Sequence, residues 1–134
     1  MIKLIHTSDW HLGLRFCGYD PNQEYELFFT QLTKAVAREK PDALLIVGDV
    51  FDIPIPANDL LERFEHCLTQ LHEACKTMQI IITSGNHDDC QWLEKQAKRW
   101  SEWNVSIIGQ PHKRDSSYDI GRHIIPIQDG KGNI

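Results

Sequence analysis

Nowhere in this chain of 134 residues does an apolar run approach the roughly 20 residues that a membrane-spanning helix needs. The opening Met1-Ile2-Lys3-Leu4-Ile5-His6 turns polar too soon for a secretory leader. A cytoplasmic protein is expected. Cysteine is scarce and unpatterned: Cys17, Cys67, Cys75 and Cys90 form no Cys-x-x-C pair, and no Cys/His spacing is finger-like. Reduced thiols are expected, with Cys67 and Cys75, eight residues apart, packed on one side of a helix. Low-complexity tracts and internal repeats are missing. Positive charge is also in short supply. A formal net charge of −5 weighs against a self-contained nucleic-acid surface, because DNA binding uses clustered Lys and Arg to neutralise phosphates. The nearest cluster, Lys95, Lys98 and Arg99, reads as a solvated helix face.

What is present is an ordinary globular balance, 41% apolar and 25% charged, in a length that suits a single domain with a real core. A unit recurs along the chain: a short apolar strand, a polar loop, then an amphipathic helix. Ile2 to His6 reads as a strand ending at Thr7-Ser8-Asp9, followed by a loop with Gly13, Gly18 and Pro21. Tyr25, Phe28, Phe29, Leu32 and Val36 recur at helical spacing between Asn22 and Glu39, and Pro41 closes that helix. Ala43 to Val47 is a continuous apolar run, as a buried parallel strand requires. Asn58 suits the N-cap of a second helix, with Leu60, Leu61, Phe64, Leu68, Leu71, Cys75 and Met78 on one face. Ile80 to Thr83 forms a third strand. Asp88 and Asp89 suit a helix start, and Trp92, Leu93, Gln96, Ala97, Trp100 and Trp103 then share an arc of about 140°. Val105 to Ile108 is a fourth strand. Such alternation implies right-handed crossovers and an α/β fold with a parallel or mostly parallel sheet. Ligands in such sheets sit beyond the carboxyl ends of the strands, where Asp9, Asp49 and Asn86 fall.

Towards the end, His123 to Ile127 reads as a further strand and Asp129-Gly130-Lys131-Gly132 as a hairpin turn, with Asn133-Ile134 beginning a returning strand. Stopping there suggests a fragment of a longer protein.

Three strand-end loops carry metal-compatible side chains: Asp9-Trp10-His11, Gly48-Asp49-Val50-Phe51-Asp52 and Gly85-Asn86-His87-Asp88. Asp49 follows His11 by 38 residues and Asn86 follows Asp49 by 37, about one strand-helix unit each. Carboxylate, imidazole and amide oxygen together suit Mn²⁺, Fe²⁺ or Zn²⁺. Two divalent ions about 3.5–4 Å apart can hold the attacking and leaving oxygens of a phosphoryl displacement. Asp49, on the middle loop, suits the bridge between them. Asp9 and His11 can both reach one ion, and Asn86 offers a neutral oxygen to the other. Gly48 and Gly85 allow sharp turns and close approach. Asp-x-His alone carries almost nothing, since chance produces it about one time in ten in a chain this long, whereas Gly-Asn-His-Asp arises by chance well below one time in a thousand.

These loops, in this order, resemble the first three motifs of the calcineurin-like metallophosphoesterases. The wording Thr7-Ser8-Asp9-Trp10-His11-Leu12-Gly13, with Gly48-Asp49-Val50-Phe51-Asp52 and a proline soon after, is similar to the SbcD-type nucleases and their eukaryotic and archaeal meiotic-recombination relatives. The likeness runs from residue 2 to about residue 108. It implies the front part of a four-layer α/β/β/α sandwich, so that residues 1–134 would be the N-terminal part of a nuclease domain. It implies Asp9 and His11 on one metal ion, Asp49 bridging, Asn86 on the other, and two Mn²⁺ ions as cofactor. His87 would contact the scissile phosphate without binding metal and assist the leaving group. Asp52 and Asp88 would stand behind the ligands and orient the loops. DNA cleavage in repair or recombination, with exonuclease and endonuclease activity, is the implied function. The implied partner is an SbcC-like coiled-coil ATPase, which would supply DNA contacts that the acidic charge leaves unexplained.

The family's pattern continues with a lone histidine and a Gly-His-x-His loop, both of which are missing; His112 and His123 are the only later histidines. A phosphatase or nucleotide phosphodiesterase of the same superfamily is the alternative enzyme, and an incompetent fragment or interaction module the alternative without turnover. His6 is expected to pack against the sheet, and His66 and His72 to be exposed. Trp92, Trp100 and Trp103 are expected in packing, or else in a homodimer patch on the N-terminal helices.

Overall fold

The computed structural model describes residues 1–111, 113–114, 117–129 and 132, with the backbone alone at 113 and 114. Strand β1 (Leu4–Ser8) leads to helix α1 (Asn22–Glu39), β2 (Ala43–Val47), α2 (Asn58–Ala74) and β3 (Gln79–Thr83). Two short helices follow, α3 (Cys90–Lys95) and α4 (Ala97–Trp100), then a 3-10 turn (Ser101–Trp103) and β4 (Val105–Ile108). A two-residue antiparallel pair, β5 (Lys113–Arg114) and β6 (Ser117–Tyr118), and a 3-10 turn (Ile120–His123) complete the order.

The four main strands form one parallel sheet in the order β1-β2-β3-β4. Right-handed crossovers that always step in the same direction place every connecting helix on one face. That face carries the core: Leu44, Ile46, Ile80 and Ile82 are fully buried against Phe29, Val36, Phe64, Leu68 and Leu71 of the helices. Each such side chain contributes about 1.5–3 kcal/mol. On the opposite face Leu4 and Val47 are exposed, and so is His6. The expectation that His6 packs against the sheet is therefore wrong, because no helix among the described residues covers its side of β1.

Helix α1 has the bounds its apolar spacing predicts, and ends where Lys40 turns left-handed (φ 46°) ahead of Pro41. Helix α2 starts at Asn58, but Ala57 occupies the cap position and no side chain caps it, contrary to expectation for Asn58. Cys67 and Cys75 are buried in the packing, as expected. His66 is exposed and His72 half-buried.

The amphipathic stretch after Asp89 is one arc in sequence but breaks at Gln96. In a continuous helix the Gln96 N–H would donate to the Trp92 carbonyl. Here the Gln96 side-chain Nε2 takes that carbonyl (3.0 Å), and the backbone N–H turns to Leu93 (3.0 Å). The tryptophans serve the core: Trp100 is fully buried with its indole N–H on Glu65 (2.8 Å), and Trp92 and Trp103 pack against the cluster.

The expected strand from His123 to Ile127 is absent. His123 ends a 3-10 turn, and residues 124–129 join no ladder among the described residues, although their exposure alternates. Pro126 has no N–H to donate there. Gly132 N–H donates to the Asp129 carbonyl (2.8 Å), whereas Gly130, Lys131, Asn133 and Ile134 of the expected hairpin lie outside the described residues.

Candidate metal centre

The carboxyl ends of β1, β2 and β3 extend into loops that keep a ladder of their own. Asp9 N–H donates to Gly48 (3.1 Å), His11 N–H to Asp49 (2.9 Å), Leu12 N–H to Val50 (3.0 Å) and Gly48 N–H to Thr83 (3.0 Å). Within the first loop, side chains alternate sharply. Trp10 (7% exposed) and Leu12 (1%) enter the core, while Asp9 and His11 face outward. Trp10 packs on Phe28, Phe29 and Phe64 at ring separations of 5.1, 5.7 and 5.9 Å, and its indole N–H reaches Thr7 Oγ1 (2.9 Å).

The backbone is left-handed at three of the expected ligands: Asp9 (φ 53°), His11 (φ 44°) and Asp49 (φ 47°). Non-glycine residues adopt this region at a cost, and such positions concentrate at functional sites. Gly85 meets a different demand. A Cβ there would lie 2.1 Å from Asp49 Oδ1 and 2.3 Å from Asp49 N, so only glycine lets the third loop reach the second.

Three residues bring ligand atoms within 4.8 Å of one another: His11, Asp49 and His87. His11 Nε2 lies 3.8 Å from Asp49 Oδ2 and 3.9 Å from Asp9 Oδ1, which places Asp9 at the edge of the group. Asp52 orients the imidazole, with Oδ1 3.0 Å from His11 Nδ1. A carboxylate only accepts, so in the neutral ring Nδ1 carries the proton and Nε2 keeps its lone pair towards Asp49 and Asp9. His87 stacks edge-on against His11 (4.8 Å) with its Nδ1 3.2 Å from the Asp52 carbonyl.

Asp49 is 7% exposed, and its Oδ1 accepts the His87 N–H (2.9 Å). No Lys or Arg pairs with Asp9, Asp49 or Asp52 among the described residues. A buried carboxylate without a countercharge is expensive, and this nitrogen and oxygen donor set fits a divalent cation. Asn86 is exposed on the same loop, and its side chain has no hydrogen bond among the described residues.

Asp88, expected behind the ligands, is 9% exposed and braces the loops. Its Oδ1 accepts the Phe51 N–H (3.0 Å), and its Oδ2 accepts those of Val50 (3.2 Å) and Gly85 (2.9 Å). The neighbouring Asp89 is the helix cap, accepting from Trp92 N–H (2.8 Å).

Sequence reasoning missed Tyr25, whose hydroxyl donates to the His11 carbonyl (2.7 Å) and props the first loop. Burial lifts that hydroxyl above its usual pKa, with the backbone of Leu14 and Gly13 opposing the shift. The only signal was its place on the apolar face of α1. Of the later histidines, His123 borders a separate cavity with Arg122, Glu94 and Ile108, and His112 lies outside the described residues.

The sequence profile of the family described as calcineurin-like phosphoesterase matches residues 2–130. A Rhodobacter capsulatus protein named as a subunit of the nuclease SbcCD is 34% identical over 133 residues, covering 99% of this chain and 33% of that protein. A Staphylococcus epidermidis protein of the same name is 33% identical over 107 residues, covering 80% of this chain and 28% of its own length. The chain thus spans about a third of the length of the curated relatives it matches.

Proposed function

Since the chain belongs to the calcineurin-like phosphoesterase family, we propose that it is the metal-binding N-terminal part of a DNA-cleaving phosphodiesterase of the SbcD type. One observation carries the reading: His11, Asp49 and His87 converge within 4.8 Å at the carboxyl edge of a parallel sheet, with Asp9 alongside. The names of the two nuclease relatives support a nucleic-acid substrate.

Asp9 and His11 would hold one cation, Asp49 would bridge, and Asn86 would offer its oxygen to a second. When bound, two divalent cations, Mn²⁺ by family resemblance, polarise the phosphodiester and offset the charge that develops on its oxygens. Asp52 fixes the His11 tautomer, so that Nε2 is available without rearrangement. The Asp52 carbonyl accepts from His87 Nδ1, so Nε2 faces the leaving oxygen and can hand it a proton only from the doubly protonated imidazolium. Asp88 keeps the second and third loops in register. The reading includes a role in DNA repair or recombination in the cytoplasm, an SbcC-like ATPase as partner, and a homodimer through the N-terminal helices. No helix among the described residues is long and apolar enough to cross a membrane.

Calorimetric titration of the metal-free chain with Mn²⁺ tests the site. Binding lost in Asp49→Ala is the expected result, and equal binding by both proteins would remove the basis of the proposal. With the longer polypeptide, Mn²⁺-dependent cleavage of single-stranded DNA is expected. Turnover of a small phosphomonoester with none of DNA would instead make the protein a phosphatase.

A further inference from the structure

The segment between His11 and α1, a plain loop in sequence, contains a built element. Phe16 and Tyr19 face each other as an antiparallel bridge, with Tyr19 N–H donating to the Phe16 carbonyl (2.8 Å) and Phe16 N–H to that of Tyr19 (3.3 Å). At the tip, Cys17 (φ 48°) and Gly18 (φ 81°) both have positive φ, the signature of the two-residue hairpin whose twist matches its strands. A Cβ on Gly18 would meet nothing within 4 Å, so glycine is there for its dihedral and not for space.

Directly opposed residues of a hairpin project to the same side. Phe16 and Tyr19 therefore share one face, and they remain 72% and 56% exposed. The Tyr19 hydroxyl donates to Glu24 of α1, which ties the hairpin to the helix. An exposed Phe costs free energy in water, and neither hairpin aromatic is in the core cluster.

Charge points to the occupant. Residues 9–21, 48–57 and 84–89 make up the three loops at the metal centre, and Arg15 is their only Lys or Arg. It lies next to Phe16, borders a cavity of about 170 Å³ with Asp20 and Asp59, and makes no ion pair among the described residues. A guanidinium in no ion pair among the described residues, next in sequence to an exposed ring and four residues from His11, suits a nucleotide: the cation meets a phosphate while a base stacks on the ring.

We infer that the Arg15–Tyr19 hairpin is a nucleotide-gripping element: Phe16 stacks on an unpaired base of the strand held at the metal centre, and Arg15 takes a neighbouring phosphate. A paired base hides its face inside the duplex, so this element selects single-stranded or frayed DNA over intact duplex. The inference rests on the nuclease reading and deepens it.

The test is fluorescence anisotropy of a short, labelled, phosphorothioate-linked oligothymidylate with this chain and Mn²⁺, beside an abasic strand of equal length. Phe16→Ala should weaken oligothymidylate binding roughly 5- to 150-fold, and Phe16→Leu nearly as much, because a base stacks on an aromatic face. The abasic strand should bind the wild-type chain as weakly as oligothymidylate binds Phe16→Ala, and the substitution should not weaken it further. Arg15→Ala should lower the slope of log affinity against log salt by about 0.7. Unchanged circular dichroism excludes misfolding of these surface variants. If oligothymidylate binds the wild-type chain and the variants within twofold, or no better than the abasic strand, the hairpin inference falls while the nuclease reading stands. If the wild-type chain binds Mn²⁺ but no strand at all, the hairpin inference falls, and the nuclease reading is decided by DNA cleavage with the longer polypeptide.

Discussion

Replacing Asp88 isolates what holds the metal-centre loops together. Its two oxygens accept three backbone N–H groups, from Phe51, Val50 and Gly85. Val50 is 0% and Phe51 1% exposed, so water is not a ready substitute at either amide. In Asp88→Asn, the remaining oxygen can serve both Val50 and Gly85 only by turning the new NH₂ group against the Phe51 N–H. One charge-assisted bond is lost, at about 1.5–3 kcal/mol. Asp88→Ala loses all three, and two amides are left unpartnered in the interior. Discounting for the relief of desolvating a carboxylate, we expect about 3–6 kcal/mol. Domains of this kind are stable by about 5–15 kcal/mol, so the alanine variant should be marginal. Guanidinium unfolding followed by tryptophan fluorescence measures both values, with an unchanged m-value expected because the fold is retained. Amide exchange at Val50 and Phe51 should quicken in Asp88→Ala before global unfolding does. If asparagine and alanine cost the same, or each costs less than about 0.5 kcal/mol, the bracing argument is refuted.

Asp52→Asn should reduce Mn²⁺ affinity about 10- to 100-fold by calorimetry with little loss of stability, because it frees the His11 ring; equal affinity would show that the ring is held otherwise. Gly85→Ala should cost about 3 kcal/mol or more, the upper end of overpacking, since the new methyl collides with both the Asp49 backbone and carboxylate; a thermal melt within error of the wild type would contradict so close an approach of the two loops. Burial pushes the Cys67 thiol from 9.0 up to about 12. Between those values the unfolded chain sheds this proton while the folded chain keeps it, so stability falls as pH rises, by about 1.4 kcal/mol per pH unit. Stability of Cys67→Ala measured from pH 8 to 11 should therefore fall less steeply than that of the wild type, whatever its absolute value; parallel curves would show that the thiol does not contribute.

The sequence by itself determined the elements and the three loops. The apolar spacing of α1 and the unbroken run of β2 each state one structure, because burial on one helical face or within a parallel sheet leaves few alternatives. It also determined that the loops carrying Asp9, Asp49 and Asn86 share one edge, since strands of one parallel sheet deliver their carboxyl ends to one edge. The tertiary structure decided the rest. The local pattern reads Asp88 as a helix cap beside Asp89, only family resemblance sets it behind the ligands, and the packing of two loops turns it onto amides 37 and 38 residues away. The break at Gln96 has no glycine or proline to announce it; a side-chain amide simply outcompetes the backbone for one carbonyl. His123 to Ile127 reads as a strand in sequence, yet a strand exists only where another edge accepts its hydrogen bonds. Exposure of His6 follows from handedness, which places all the helices on the other side of the sheet. Local pattern fixes what a segment can be, while register, handedness and competition for hydrogen bonds between distant residues decide what each side chain faces.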